Sequence, residues 1–291
     1  MINKMHLFFQ MSRYFFLIAA CLLWAASSAM AAEPLRVTVS IAPQAYFIQR
    51  IGGELVDVNV LVPPGKSPAL YNPTPRQMAA LARSRLFFRI GLPFENGIIA
   101  KISGGTKVKI VDTRQGIELL PVASAGTASG ELDPHIWMDP MLAKTLSQTM
   151  RDALIDLDSA NGPYYERGFR NLATDLDSLD GKLRLALQPL AGRTVYVFHP
   201  AFGYFCRAYG LVQKAVESGG KEPGIRQLTK LIRDARRDGV KVIFVQPQFP
   251  KKSAEAVARA IQGTVVVLDP LAGDYIANLQ RVAALIGTAL R

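Results

Sequence analysis

Two histidines, His135 and His199, are the residues of this chain whose type and setting best suit metal chemistry. The chain contains three histidines, and the third, His6, lies in an N-terminal segment that we expect to be removed. His135 stands in the run Asp133-Pro134-His135-Ile136-Trp137, and His199 directly follows an apolar run that ends at Phe198. Because imidazole is the commonest metal ligand among side chains, both residues are first candidates for a metal site.

Asp269 occupies the same kind of position as His199, directly after a predicted strand. His199 follows the apolar run 194–198, and Asp269 follows the run 264–268. In parallel α/β sheets, ligands bind beyond the carboxyl ends of the strands, so we expect both side chains to face one crevice. With His135 they would form a site of nitrogen and oxygen donors, which suits zinc and tolerates manganese or iron.

Each of these residues also has a purely structural interpretation. His135 could be a turn histidine bonded to Asp133, and His199 could be a core histidine at the end of a strand. Asp269 could cap a turn before Pro270. Short motifs of this kind have a real false-positive rate, so composition alone leaves both interpretations open.

The order of predicted elements indicates an α/β protein with parallel sheets. Strands are predicted at 35–41, 56–62, 86–91, 108–112, 194–198, 240–245 and 264–268, and helices at 43–51, 74–82, 140–157, 164–188, 223–238, 252–261 and 276–290. The span 164–188 has apolar residues at helical spacing and no proline, and it predicts a helix about 40 Å long. Two α/β halves on either side of one long helix predict two similar lobes, with the ligand cleft between them.

The domain boundaries follow from this pattern. We expect a signal peptide at residues 1–31, an N-terminal α/β lobe at 32–161, a linking long helix at 162–191 and a C-terminal α/β lobe at 192–291. Residues 122–132 are rich in alanine, glycine and serine and are predicted to form a surface loop.

The N-terminal segment has the pattern of an export signal. Arg13 precedes an apolar stretch that begins at Tyr14, and small residues end at Ala29-Met30-Ala31. We therefore expect cleavage after Ala31 and a periplasmic location. Processing as a lipoprotein at Cys21 is the alternative, and we favour it less because it would leave a large apolar run exposed after the lipid.

The charge distribution and the cysteine content argue against a nucleic-acid partner, a disulfide and a reactive cysteine. The net charge is +11, but the basic residues are scattered and often stand beside acids, so no nucleic-acid partner is predicted. Cleavage after Ala31 leaves Cys206 as the only cysteine, so no intramolecular disulfide is expected. The run Tyr204-Phe205-Cys206-Arg207 is an aromatic, helical context, which favours Cys206 as a small buried residue over a nucleophile or ligand.

Several longer motifs give the chain a family resemblance. It resembles the metal-binding solute-binding proteins of bacterial ABC importers, the zinc and manganese group with two lobes joined by a rigid long helix. The motifs that carry the resemblance are Val60-Leu61-Val62-Pro63-Pro64-Gly65, Tyr71-Asn72-Pro73-Thr74-Pro75, Asp133-Pro134-His135-Ile136-Trp137-Met138-Asp139-Pro140, His199-Pro200-Ala201-Phe202-Gly203-Tyr204-Phe205 and Leu268-Asp269-Pro270-Leu271. They are distributed over nearly the whole chain beyond the leader.

The resemblance implies a function and a ligand set. His135, His199 and Asp269 match three of the four metal-binding positions of that family. A histidine at the position of His199 is the zinc pattern, whereas manganese members tend to carry glutamate there. The implied protein is a monomeric, non-enzymatic receptor that captures zinc, or alternatively Mn²⁺ or Fe²⁺, and delivers it to an ABC permease in the inner membrane.

The chain departs from the family pattern at the first ligand. Ala69 stands where the family has a histidine, Ser67 where it has aspartate, and Asn72 where glutamate is common. Alanine has no donor atom, so we expect weaker metal binding, with water or a side chain such as Glu222 in the fourth place. The histidine-rich loop of many zinc members is also missing, since residues 113–132 contain no histidine.

This departure keeps other functions open. A member with a degenerate site could bind a metal chelate that brings its own donor, or it could act as an adhesin or scaffold. Three protein ligands and a water are also the composition of a catalytic zinc site. A zinc hydrolase is nevertheless disfavoured, because the sequence contains no H-E-x-x-H helix or other hydrolase motif.

Overall fold

The first half of the molecule is built on a parallel four-stranded sheet. The computed structural model describes residues 33–122, 132–217, 224–249 and 251–290. The first four strands are β1 (Leu35–Val39), β2 (Val56–Val60), β3 (Leu86–Arg89) and β4 (Lys109–Asp112). They are arranged in the order β2-β1-β3-β4, and every pair is parallel. The central strands carry fully buried residues such as Val37 and Phe88, as expected for a parallel sheet covered on both faces.

The second half repeats this topology. Its strands are β5 (Thr194–Val197), β6 (Val212–Ala215), β7 (Val242–Val245) and β8 (Thr264–Val267). They are all parallel and lie in the order β6-β5-β7-β8, so the prediction of two similar parallel-sheet lobes is confirmed. Strand β6 was not predicted, because its sequence Val-Gln-Lys-Ala is half polar. It forms the edge of the sheet, where one side of a strand needs no apolar cover.

Nine helices of six or more residues occur in the described part of the chain. They are α1 (Ala42–Gly52), α2 (Pro75–Ala82), α3 (Pro93–Ile102), α4 (Pro140–Leu157), α5 (Gly162–Leu187), α6 (Gly203–Ala208), α7 (Ile225–Arg237), α8 (Lys251–Ala260) and α9 (Tyr275–Leu290). Helix α2 begins as predicted: Thr74 Oγ1 accepts a hydrogen bond from the Gln77 amide, and Gln77 Oε1 accepts one from the Thr74 amide. Helix α6 covers the stretch around Cys206 whose sequence indicates a helix, whereas helix α3 was not predicted.

Helix α5 is the long helix that the apolar spacing predicts. It has 26 residues, and its buried side chains recur every three or four positions: Tyr165, Phe169, Leu172, Leu176, Leu179, Leu183 and Leu187. It packs against α1 and α4 from the first half and against α9 from the end of the chain. One continuous apolar core therefore contains residues of α5 and of both sheets, including Val37 and Val197.

Cys206 is buried, as predicted, and burial raises the pKa of its thiol to about 12, so it is a poor nucleophile and metal ligand. No helix within the described ranges has the length and apolar character needed to cross a membrane. The predicted leader 1–31, most of the predicted loop 122–132, and Glu222 lie outside the described residues.

Candidate metal centre

The structure brings the two histidines together, as the sequence predicts. His199 lies two residues beyond the end of β5, and His135 directly precedes a 3₁₀ turn at Ile136–Met138. Their ring centroids are 5.2 Å apart and the ring planes are inclined by 74°. Two imidazoles from opposite halves of the molecule therefore share one small site.

The Nδ1 atom of His135 is held by a buried carboxylate. It lies 2.6 Å from Oδ1 of Asp133, which also accepts a hydrogen bond from the His135 amide at 2.9 Å. Asp133 is 3% exposed. The bonded turn histidine that we considered as an alternative is thus present, but it does not compete with metal binding. A carboxylate on one ring nitrogen fixes the tautomer that leaves the other nitrogen free to bind a metal.

His199 is held in the same way from the second half. Its Nδ1 atom lies 3.0 Å and 3.2 Å from the two carboxylate oxygens of Glu217, a residue that is 1% exposed. The Gln246 side chain fixes the backbone: its Oε1 accepts from the His199 amide, and its Nε2 donates to the His199 carbonyl. Phe249 stacks on the imidazole at 4.9 Å. Within the described part of the chain, neither histidine makes a hydrogen bond through Nε2.

The surroundings of His199 favour its neutral form. Burial lowers the pKa of His199, and the nearby His135 acts in the same direction, while Glu217 opposes them only in part. A histidine must be deprotonated on the nitrogen that binds a metal. The lowered pKa therefore keeps the lone pair of His199 available at neutral pH.

Asp269 is placed differently from the two histidines. Its Oδ1 accepts hydrogen bonds from Gln248 Nε2 and from the Leu271 amide, both at 2.9 Å. The turn cap that we considered as an alternative is therefore present. The cavity wall includes Pro270 and Leu271 but not Asp269 itself. Among the described residues, no set of three or more histidine, cysteine, aspartate or glutamate side chains is already arranged to hold a metal ion.

The histidines face a small cavity that is partly open to solvent. Its wall is formed by Ser67, Pro68, His135, His199, Gln246, Gln248, Phe249, Pro270 and Leu271. Ser67 and Pro68 belong to the segment around Ala69, which continues as a 3₁₀ turn at Pro68–Leu70. The Tyr71 hydroxyl donates to Gln77 Oε1 at 2.7 Å and ties this segment to α2. The segment that contains Ala69 therefore borders the same cavity as the histidines.

Sequence reasoning did not find four residues of this site: Glu217, Gln246, Gln248 and Phe249. Gln246 directly follows β7, so the rule that placed His199 and Asp269 could have found it. Glu217 follows β6 by two residues, and it was missed because β6 itself was not recognised. Gln248 and Phe249 lie in the irregular segment after β7, where no periodic pattern identifies the side chains that turn inward.

Comparisons with known proteins agree with this architecture. The family model for ZnuA, described as the periplasmic component A of a zinc-uptake complex, matches residues 37–289. A crystal structure of ZnuA has a TM-score of 0.84 and 39% identity, and the match covers 89% of this chain and 100% of that one.

Curated relatives have related functions. The high-affinity zinc uptake system protein ZnuA of Bacillus subtilis is 27% identical over 280 residues, which is 89% of this chain and 88% of that protein. The manganese-binding lipoprotein MntA of Halalkalibacterium halodurans is 24% identical over 230 residues, which is 78% of this chain and 75% of that protein. One of these relatives is thus named for zinc uptake and the other for manganese binding. The chain therefore belongs to the ZnuA family of extracytoplasmic solute-binding proteins, which bind divalent metals for ABC import.

Proposed function

We propose that this protein captures zinc through His135, His199 and Asp269 and passes it to an ABC permease in the inner membrane. In this proposal it works as a monomer in the periplasm, after cleavage behind Ala31. The lobes comprise residues 32–161 and 192–291, and the linking segment comprises 162–191. The protein needs no catalytic step, since capture and release of the ion complete its task.

The observation that carries the proposal is the pair of imidazoles with matching anchors. Each Nδ1 is bonded to a carboxylate that is nearly inaccessible to solvent, and the two rings lie 5.2 Å apart at one cavity. Histidines that bind metals almost always give their other nitrogen to a carboxylate, a carbonyl or water. A histidine with a purely structural role would be satisfied by one such partner. That role does not explain why a second anchored imidazole lines the same cavity.

Asp269 would complete a three-donor set through its second oxygen. Oδ1 is occupied by Gln248 and the Leu271 amide, so Oδ2 is the atom that we assign to the metal. Metal entry would then require a small movement of the Asp269 side chain toward the cavity. Water would fill the fourth position, because Ala69 provides no donor there.

Zinc is the ion that this donor set favours. Two neutral nitrogens and one carboxylate oxygen suit zinc, and Mn²⁺ and Fe²⁺ are the alternatives. The loss of a fourth protein ligand at Ala69 should weaken binding relative to a complete site. We therefore expect zinc binding that is measurable but weaker than in relatives with four protein ligands.

A zinc titration of chelator-stripped protein by calorimetry tests the proposal. We expect saturable one-to-one binding that falls at least about 100-fold in His135→Ala, His199→Ala and Asp269→Ala. Asp274→Ala is the matched control, because Asp274 is exposed, pairs with Arg281, and lies only five residues from Asp269. Absence of zinc uptake by the unmodified protein at micromolar concentration would contradict the proposal.

Ala69 favours a second candidate: a protein with a degenerate site that binds a metal chelate or acts as an adhesin or scaffold. The two candidates differ in how zinc affects stability. An ion that binds only the native state must raise the melting temperature, whereas a scaffold would melt at the same temperature with and without zinc.

A further inference from the structure

Trp137 and Tyr275 connect the segments that carry the proposed ligands from the two halves of the molecule. The Trp137 indole Nε1 donates a hydrogen bond to the Pro270 carbonyl at 2.7 Å. The Tyr275 hydroxyl donates to the Trp137 carbonyl at 2.6 Å. Trp137 is two residues beyond His135, and Pro270 directly follows Asp269, so both bonds lie next to a proposed ligand.

Ring packing strengthens the same connection. The Trp137 ring centroid is 5.1 Å from that of His135. Tyr275, at the start of α9, packs edge-on against Phe47 of α1 at 4.7 Å. Farther along α9, Asn278 Nδ2 donates to the Asp269 carbonyl at 2.7 Å. Helix α9 therefore contacts the backbone on both sides of the cavity.

Both bonds are buried. Trp137 is fully buried and Tyr275 is 2% exposed. A buried polar group that loses its partner cannot recover the bond from water, so the segments are held at a fixed separation. Metal sites tolerate little error in ligand position, and outer groups that orient the ligands contribute about 10–100-fold to metal affinity.

We infer that Trp137 and Tyr275 are positioning residues, which set the distance between His135 and Asp269 and so tune the affinity of the site for the metal. Neither side chain is among the proposed ligands. They act by fixing the separation between the segment that carries His135 and the segment that carries Asp269. This inference rests on the proposed function, since it concerns the geometry of the same site.

The variant Tyr275→Phe removes one buried hydroxyl and little else, and Tyr165→Phe is its matched control. Tyr165 is also fully buried, and its hydroxyl donates to Asp158 Oδ2 at 2.7 Å, at the start of the long helix. Zinc affinity is measured by calorimetry and the melting temperature is measured without metal. We expect both variants to lose similar stability, but only Tyr275→Phe to bind zinc about ten-fold more weakly.

Trp137→Phe provides a second variant and a spectroscopic control. The chain has two tryptophans, Trp24 and Trp137, and only Trp137 remains after cleavage behind Ala31. In the processed protein its emission should change on zinc addition, because its ring is next to that of His135. In Tyr275→Phe, we expect the zinc concentration at the midpoint of the emission change to rise about ten-fold. Trp137→Phe should lose the tryptophan emission and bind zinc more weakly by calorimetry.

Zinc affinities within about three-fold of the unmodified protein in both variants would overturn the positioning role. An equal loss of affinity in Tyr165→Phe would also overturn it, because the effect would then be a general one on stability. If the unmodified protein itself takes up no zinc, the proposed function fails, and this inference fails with it. The two failures are therefore distinguishable in one set of titrations.

Discussion

At the scale of single residues, the proposed site consists of two anchored imidazoles and Asp269, with Ala69 where the resemblance implies a fourth ligand. Asp133 and Glu217 fix the orientation of the histidines through Nδ1. The same cavity is bordered by Ser67 and Pro68, directly before Ala69. The chemistry that we propose therefore depends on how much affinity two imidazoles and one carboxylate can supply without a fourth protein ligand.

Placing an imidazole at position 69 should strengthen zinc binding. We expect Ala69→His to raise the zinc affinity about ten-fold or more in calorimetric titrations, because a nitrogen donor replaces water. Leu70→His is the matched control, since Leu70 is the next residue and is 78% exposed. Equal affinities in the unmodified protein and Ala69→His would show that this segment does not contribute to the metal site.

Removing the charge behind His199 should weaken zinc binding. Glu217→Gln keeps the size of the side chain but makes His199 a less basic ligand, so we expect a loss of about ten-fold. Glu255→Gln removes an exposed carboxylate that lies 4.0 Å from Arg259, and it should leave the affinity unchanged. The account would be wrong about Glu217 if competition with a chelator gave the same zinc affinity for both variants.

The proximity of the two histidines could be predicted from the sequence, because each occupies a recognisable position. His199 follows an apolar strand, and His135 stands in a motif with an acidic neighbour. Glu217 could not be predicted, since it depends on an edge strand whose polar residues hide the alternating pattern. The hydrogen bonds of Asp269 could not be predicted either, because they involve a glutamine from a different, irregular segment.

At the scale of elements, the long helix α5 approaches the backbone of α1 closely at Gly168. A Cβ atom added at Gly168 would lie 2.3 Å from the carbonyl oxygen of Ile51 in α1, whereas one added at Gly181 in the same helix meets nothing within 4 Å. Gly168 therefore allows α5 to approach the end of α1, and Gly181 has no such role.

These two glycines should respond in opposite ways to the same substitution. Gly168→Ala should lower the free energy of unfolding by about 1–3 kcal/mol, because the backbone of α1 must move. Gly181→Ala should raise it by about 0.5–1 kcal/mol, because alanine favours the helix. Urea unfolding measures both, and a stabilised Gly168→Ala would contradict the described contact between α1 and α5.

The end of α7 is tied to the second sheet by an ion pair that should be pH dependent. Lys214 and Tyr196 bind the Asp238 carboxylate at 2.6 Å and 2.8 Å. Together, chiefly through Lys214, they lower the pKa of Asp238 to about 2. The unfolded chain has an aspartate pKa near 3.9, so the stabilisation is present above about pH 4 and is lost as the pH falls toward 2.

Asp238→Asn should therefore be destabilising at neutral pH and nearly neutral in strong acid. We expect a loss of about 1 kcal/mol in the free energy of unfolding at pH 7, after allowing for solvent screening. The difference should shrink between pH 4 and pH 2. Asp57→Asn removes an exposed carboxylate 3.9 Å from Arg36 and should have little effect at any pH. A pH-independent difference for Asp238→Asn would contradict this ion pair.

At the scale of the whole molecule, one apolar core joins the two halves. Residues of both sheets and of α5 belong to the same buried cluster, so a wide opening of the cleft would expose apolar surface. Release of the metal should therefore use small local movements around His135 and Asp269. The sequence predicted this architecture because long apolar periods identify α5 and the buried strands. It did not predict the half-polar edge strand β6 or helix α3.

The coordination of bound zinc distinguishes a histidine site from any other mode of binding. X-ray absorption at the zinc edge counts the imidazole nitrogens and oxygens around the ion in the loaded protein. Our account predicts two imidazole nitrogens, from His135 and His199, and oxygen donors from Asp269 and water, at about 2.0–2.2 Å. A spectrum without imidazole ligands, or a protein that retains no zinc, would contradict it.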